Sequence, residues 1–351
     1  MRIFFYPLAG LYWLATYFRN KFFDWGILPS KKHQKPIIAV GNLSVGGTGK
    51  SPFTIYLVDM LKDDFFIGVV SRGYGRSTKG YHFANYVSTY QDIGDEPTQI
   101  FERFRNKIVV GVDEKRTHGI AHLIHDFHPQ MFILDDAFQH RYVCAGFYIL
   151  LTDYSFPYYK DYVLPLGRLR EGRYGAKRAD AVVVTKCPDV LSAKEKNQIK
   201  ADLKLKSGQS LFFSKIIYDK EVISHNFKLK IDQLSRYNIL LITGIAKFDE
   251  ILAFCKKKFN SVIHLNFNDH HNYSEQDVQK ISLSFDNLSE DKLILTTEKD
   301  YTRLKHYQQL LPDLFYLPIN IELDRPEEFK KLIFEYLGGS KSVGKNKVEF
   351  L

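Results

Sequence analysis

Short runs that are apolar at nearly every position recur along the first 215 residues: "PIIAVGNL", "FFIGVV", "KIVVGVD", "MFIL", "FYILLTD" and "ADAVVVT". Each ends in a polar or glycine-containing turn. Between them lie stretches with helical spacing, such as "SPFTIYLVDMLK" and "GIAHLIHDFHP". Strands apolar on both faces, alternating with helices, predict a mostly parallel sheet covered on both sides, that is, an α/β fold. Polar residues collect just past the strand ends, where ligands sit in open α/β sheets. From about Leu211 the texture changes. "LFFSKIIYDKEVI" alternates as an extended linker. "YNILLITGIAKFDEILAFCKKKF" and "KLILTTEKDYTRL" each read as strand, turn and helix, predicting a smaller α/β lobe over residues 230–320. "LFYLPINIELD" is expected to return beside the linker, and residues 321–351 to end in a polar, basic, mobile tail.

The N-terminus breaks this pattern. "FFYPLAGLYWLATYF" is apolar and aromatic, and Arg19, Lys21, Lys31, Lys32 and Lys35 follow it. The apolar run is shorter than the ~20 residues a spanning helix needs, and it lacks a signal-peptide cleavage pattern. Its tryptophans, tyrosines and basic flank predict an interfacial helix within residues 1–30; a helix packed on its own domain is the alternative. The core is then expected over residues 31–215. Net charge is +9, which favours an acidic partner: nucleic acid, anionic lipid or a phosphorylated substrate. Cys144, Cys187 and Cys255 are far apart and show no metal-ligand or disulfide spacing, which suits a reducing compartment.

The candidate chemistry begins at "VGNLSVGGTGKSP", Val40–Pro52. Gly46, Gly47, Thr48, Gly49, Lys50 and Ser51 lie between a predicted strand and a predicted helix, the context of a phosphate loop. Lys50 is placed to reach β- and γ-phosphates, and the Ser51 hydroxyl to ligate Mg²⁺. Ser44 stands where the usual pattern has glycine. Asp135 and Asp136 end the "MFIL" strand and suit the second partner of that metal; an ordinary solvated turn is the alternative. In "DIGDEPTQI", Asp95 reads equally well as the carboxylate that takes an acceptor proton and as the cap of a helix starting at Pro97. "NDHHNYSEQD", with Asp269, His270 and His271, reads by itself as a polar loop. "LPLGRLREGRYGAKRAD" (Arg168, Arg170, Arg173, Lys177, Arg178) and "SRGYGR" (Arg72, Arg76) suit phosphate binding, against a solvated basic surface.

Together, "VGNLSVGGTGKSP", "SRGYGR", "GDEP", "ILDDAFQH", "LPLGRLRE", "TKCP", "DHHNYS" and "TEKD" resemble the tetraacyldisaccharide 4′-kinase family across roughly residues 38–300. The long loop motif and "LPLGRLRE" are the specific ones. The resemblance implies a P-loop NTPase-type core with a second lobe joined by a β-ribbon. It implies ATP and Mg²⁺ as cofactors, and transfer of the γ-phosphate to the 4′-hydroxyl of an acylated glucosamine disaccharide 1-phosphate. It also implies action at the cytoplasmic face of an inner membrane. By position it assigns Asp95 as base, His270 as its dyad partner, Asp135 and Asp136 as metal residues, and Glu171 as a metal neighbour. Glu96, Arg72, Gln139, His140, Arg168 and Arg170 fall on the substrate side. One departure is Ala137, where the family's "DDGFQH" has glycine; a methyl is tolerated there unless φ is positive. A P-loop GTPase is a rival reading: "VVVTKCP" is close to a guanine-reading "NKxD", but the Asn and Asp are missing. A basic nucleic-acid-binding module is a second rival, which the ordered carboxylates oppose. No nucleic-acid partner is expected, and a monomer is favoured.

Overall fold

The computed structural model describes residues 5–225 and 227–339. The expected mobile tail, from Ser340 onward, lies outside them, as do Met1–Phe4 and Asn226. The chain divides into two compact units: residues up to Ile216 together with those from Ile321 onward, and Ile217–Asn320.

The first unit is built on a nine-stranded sheet. Its order is Ile319–Leu323, Ser210–Tyr218, Ala181–Thr185, Phe147–Asp153, Ile37–Asn42, Met131–Leu134, Ile67–Ser71, Ile108–Val112 and His82–Phe83. From Ser210–Tyr218 to Ile108–Val112 every pairing is parallel. His82–Phe83 adds an antiparallel edge. The five strands from Ile37, Met131, Ile67, Ile108 and Ala181 are buried at every position, as runs without polar alternation require. Side chains alternate across the sheet. Ile38, Val40, Val69, Ile133 and Ile149 pack on one face, and Ile37, Ala39, Val70, Phe132 and Leu134 on the other. Close packing is visible at Gly41, where a Cβ would lie 2.7 Å from the Phe138 Cβ; only glycine lets the segment after Asp136 cross there.

The "GDEP" and "SRGYGR" segments meet through glycines. A Cβ at Gly94 (φ 92°) would approach the Tyr74 carbonyl to 2.9 Å, and one at Gly73 would approach the Ile93 carbonyl to 2.8 Å. The Asp95–Phe104 helix starts immediately after Gly94. The helix Pro326–Gly339 packs Phe329 and Ile333 into the first unit's core, so Gly338 closes a helix and does not open the tail.

The N-terminal helix, Phe5–Asp24, belongs to the same unit. Ala9, Asn20 and Phe23 are buried, whereas Leu8, Leu11, Trp13, Leu14, Phe18 and Trp25 are exposed. Among the described residues no helix is long and apolar enough to cross a membrane.

The second unit has a six-stranded sheet in the order Lys228–Lys230, Glu221–Ile223, Leu314–Leu317, Lys292–Thr297, Asn238–Thr243 and Ser261–Asn266. The last four are mutually parallel, and the first two pair antiparallel. Helices Asp249–Lys258, Glu275–Asp286 and Glu298–Leu304 accompany them.

Candidate active site

Backbone geometry makes the glycine loop an anion cradle. The strand Ile37–Asn42 leads into it and the helix Lys50–Leu61 leaves it. Gly49 caps that helix in a left-handed conformation (φ 82°) without a side-chain hydrogen bond. The N–H groups of Gly46, Gly47, Gly49 and Lys50 find no acceptor among the described residues. A Cβ added at Gly46 or Gly47 would meet nothing within 4 Å. The loop therefore presents unpaired donors, backed by a helix N-terminus, to open space.

Three braces hold the loop in this shape. Ser44, the apparent departure from a phosphate-loop pattern, bridges to Leu169 in a short antiparallel pair. Val45 N–H donates to the Arg168 carbonyl (2.7 Å), and Arg170 N–H donates to the Leu43 carbonyl (2.7 Å). The "LPLGRLRE" segment is thus welded to the loop's entry. Asn42 Nδ2 donates to Thr48 Oγ1 at 2.7 Å. At the end of the strand Ala181–Thr185, two places along the sheet, Thr185 Oγ1 donates to the Thr48 carbonyl at 2.8 Å, and Lys186 Nζ donates to the Gly47 carbonyl. Lys186 also pairs with Asp153 at 3.2 Å. "TKCP" lacks the letters of a guanine-reading motif, yet its Thr and Lys buttress the loop.

On the loop's other side stand Asp135 and Asp136. Asp136 takes a two-pronged hydrogen bond from Arg170 (2.7 and 3.2 Å), and Lys50 Nζ lies 3.8 Å from it. Burial raises the Asp136 carboxyl, but Lys50, Arg170 and Arg116 together hold it below the ordinary carboxylate range. Asp135 has the opposite fate. It is fully buried, and burial, with Glu96 and Asp136 adding repulsion, pushes it up to about 7. Thr54 Oγ1 donates to Asp135 Oδ1 at 2.8 Å, while Oδ2 is buried with no partner. A buried, unpartnered carboxylate oxygen beside a second carboxylate and the buried Ser51 of the first helical turn fits a hard divalent cation. The left-handed residue of this segment is Asp136 (φ 46°), not Ala137, so the methyl of Ala137 costs nothing in backbone strain.

Asp95 is buried at the start of its helix. It is the first helical residue and Gly94 is the cap, so the reading of Asp95 as the cap of a helix starting at Pro97 fails. Glu96 lies near enough to Asp135 to raise its pKa. Arg72 is exposed, in the loop that packs on Gly94. His140 is half-buried with its Nε2 unpartnered. Burial and the charges of Arg116, Arg19 and Arg72 lower it to about 4, so it is neutral at physiological pH.

Three expected residues are otherwise engaged. Both Glu171 oxygens are occupied: Arg178 donates to each (2.7 and 3.0 Å), Gln139 Nε2 to one (3.0 Å) and Asn20 Nδ2 to the other (2.5 Å). In this arrangement Glu171 is a buried clamp joining the N-terminal helix to the loop region. The Gln139 Nε2 group is spent on Glu171 and the Asn42 carbonyl (2.8 Å), while its Oε1 is buried without a partner among the described residues. Arg168 pairs with Asp161 at 3.3 Å and lies 4.2 Å from the Phe156 ring centre. The same clamp extends through Tyr12 Oη to the Arg170 carbonyl (2.9 Å) and Arg19 to the Gln139 carbonyl (3.0 Å).

His270 lies in the second unit, in a left-handed conformation (φ 59°), with Lys299 Nζ 3.1 Å from its Nε2. His271 is tied to Asp277 at 3.0 Å and packed beside Phe267 and Tyr273. The sequence analysis missed Arg116, a buried cation at the start of the Arg116–Phe127 helix, along with Thr54, Asn42 and Lys186. A charged residue opening a helix just after an apolar strand was the available signal for Arg116.

The comparisons with known proteins agree. The sequence model of the LpxK family, tetraacyldisaccharide-1-P 4′-kinase, matches residues 1–338. The tetraacyldisaccharide 4′-kinase of Bacteroides thetaiotaomicron is 42% identical, over 95% of this chain and 92% of the relative. That of Flavobacterium johnsoniae is 42% identical, over 95% of this chain and 96% of the relative. The crystal structure of LpxK from Aquifex aeolicus in complex with ATP superposes with a TM-score of 0.77 at 30% identity, covering 96% of this chain and 99% of that one. A phosphate loop braced by "LPLGRLRE" and faced by a carboxylate pair, in a chain that the family model matches over residues 1–338, places this protein in the tetraacyldisaccharide-1-P 4′-kinase family.

Proposed function

We propose that this protein transfers the γ-phosphate of ATP to the 4′-hydroxyl of a tetraacyl glucosamine disaccharide 1-phosphate. The observation that carries the reading is the open loop beside Asp135–Asp136, with Lys50 and Arg170 converging on Asp136. The loop N–H groups and Lys50 bind the triphosphate. Ser51, Asp135 and Asp136 are the residues that would hold magnesium, which when bound neutralises charge on the β- and γ-phosphates. Asp95 accepts the proton of the 4′-hydroxyl as its oxygen bonds to the γ-phosphorus and the bond to the β-phosphate oxygen breaks, leaving ADP. Arg116, buried with Asp136, Asp135 and Asp113 favouring its charged form, adds fixed positive charge beside the carboxylates, and Arg72 is offered to the acceptor's phosphate. Most of the rate gain comes from positioning and charge, as phosphoryl transfer demands.

We also propose that the Phe5–Asp24 helix lies in an anionic membrane surface on the cytoplasmic side, with its exposed Leu, Phe and Trp side chains in lipid and its polar face clamped to Glu171, Gln139 and the Arg170 backbone. The activity is tested by incubating the protein with γ-labelled ATP and the disaccharide 1-phosphate. Acceptor-dependent label at the 4′ position is expected. Label that appears only as free phosphate, with or without acceptor, would identify a nucleotide hydrolase instead.

A further inference from the structure

The segment "HGIAH" puts His118 and His122 four residues apart on the helix Arg116–Phe127, so both rings leave the same face. Neither belongs to the phosphate loop or its carboxylates. The spacing is that of the H-E-x-x-H metal helix, with Gly119 where that motif carries its general base. Such a pair can hold a metal but lacks the group that would activate water on it.

Each ring is fixed from behind. Asp113, buried just past the strand Ile108–Val112, accepts from His118 Nδ1 at 2.6 Å through its Oδ2. Its Oδ1 accepts the Lys115 N–H at 2.8 Å. A Cβ at Gly119 would lie 3.0 Å from the Asp113 Cβ, so a side chain there would crowd this carboxylate. The His122 ring stacks on Tyr81, with centres 4.5 Å apart and planes 12° from parallel. A carboxylate on Nδ1 keeps the His118 proton on that nitrogen and its lone pair on Nε2, as the outer partners of metal-binding histidines do.

That lone pair faces the second ring. The two Nε2 atoms are 3.0 Å apart, the ring centres 4.4 Å apart, and the planes cross at 76°. A head-on N–H···N hydrogen bond of this length would hold the ring centres about 5.3 Å apart. Bonds of about 2.1 Å from both nitrogens to one cation, at a right angle, would set the nitrogens about 3.0 Å and the ring centres about 4.6 Å apart. The observed pair matches the second arrangement: both rings are canted toward a shared point. A tetrahedral angle would spread the nitrogens to about 3.4 Å, so the tetragonal preference of Cu²⁺ or Ni²⁺ fits better than that of Zn²⁺. Among the described residues no group of three or more His, Cys, Asp or Glu is placed to hold a metal, which leaves the remaining positions to water.

We propose that His118 and His122 chelate a divalent transition-metal ion of tetragonal preference through their Nε2 atoms, with Asp113 as the outer partner that orients His118. His122 binds as its Nδ1–H tautomer, so the neutral pair loses no proton. Mg²⁺, which takes oxygen ligands, is not a ligand of this site.

The test uses the full chain without a histidine tag, titrated with Cu²⁺, Ni²⁺, Zn²⁺ or Mg²⁺ alone. Electron paramagnetic resonance of the Cu²⁺ form should show two nitrogen ligands. His118→Gln and His122→Gln should each weaken Cu²⁺ binding about tenfold or more. Asp113→Asn, which touches no metal, should weaken it about 10–100-fold. His125→Gln, on the same helix but outside the pair, should bind as wild type does, and so should Lys50→Ala, which separates this site from phosphoryl transfer. Ni²⁺ should bind ahead of Zn²⁺, and excess Mg²⁺ should displace neither. Wild-type Cu²⁺ affinity in both His118→Gln and His122→Gln would overturn the site, even if Asp113→Asn fails to fold. Zn²⁺ bound ahead of Ni²⁺ would overturn the tetragonal assignment. Full affinity in a folded Asp113→Asn would remove Asp113 from the site.

Discussion

Two of the buried parallel strands in this molecule, one in each unit, lead through a glycine turn into a helix, and only one of these turns is an anion cradle. In the first unit the strand Ile37–Asn42 leads to Gly46–Gly49, and the helix begins with Lys50 and carries no acidic residue in its first turn. In the second unit Asn238–Thr243 leads to Gly244, and the helix begins with Asp249 and Glu250. The Gly244 N–H is donated to Asp300 at 2.9 Å, and its carbonyl accepts from His270 N–H at 3.2 Å. The second loop has thus satisfied its own backbone and surrounded its helix N-terminus with negative charge. The first keeps its carboxylates at the end of the adjacent strand, at Asp135–Asp136, and leaves the amides of Gly46, Gly47, Gly49 and Lys50 unpaired among the described residues. A glycine after a strand supplies only the turn. What makes an anion site is a helix N-terminus without internal acceptors.

The largest effect should come from exchanging what distinguishes the loops. Lys50→Ala is expected to lower kcat about 10²–10³-fold, whereas Asp249→Ala, at the matching place in the second unit, should change it less than about twofold; steady-state kinetics with both variants checks the contrast. Asp300→Ala strips the acceptor from Gly244 and should cost about 1–3 kcal/mol of stability in denaturant titration with nucleotide affinity unchanged. A loss of nucleotide affinity there would mean that the second loop does take part in nucleotide binding. Lys186→Ala should raise the KM for ATP several-fold by loosening the Gly47 carbonyl while kcat moves less; equal losses in both would make it part of the transfer step.

The smallest effect is a pH dependence in the metal-free, nucleotide-free protein. Asp135 is held above the ordinary carboxylate range, to about 7, by burial and by Glu96 and Asp136. The folded state therefore keeps this proton where the unfolded chain has already lost it. Stability from this group is present at low pH and is lost as pH rises from the ordinary carboxylate value through the folded one. Asp135→Asn should flatten that slope, raising Tm at about pH 8 relative to wild type more than at about pH 4. An unchanged slope would remove Asp135 as its source.

Much of the fold was legible because buried parallel strands are written as unbroken apolar runs: the "PIIAVGNL", "KIVVGVD" and "ADAVVVT" segments are strands in the structure. Helices were harder. Ala193–Leu203 and Glu275–Asp286 carry few apolar residues and were not predicted, although their capping boxes, Ser192 with Glu195 and Ser274 with Asp277, were in the sequence. The loop core, the carboxylate pair and Arg170 were readable as local motifs. Thr54 and Lys186 were not, because their contribution comes from contacts with other strand ends that no local spacing encodes, and Arg116 carried only the signal of a charge opening a helix after an apolar strand. Glu171 shows the converse: a motif position whose neighbours, Arg178, Gln139 and Asn20, make it a clamp.

The central claim is that Asp95 takes the acceptor's proton while the loop holds ATP. It is tested most directly by measuring Asp95→Asn for 4′-phosphate transfer and for ATP affinity in parallel. The account predicts a fall in kcat of about 10²–10⁴-fold with ATP affinity within about twofold of wild type. Transfer at the wild-type rate would contradict it.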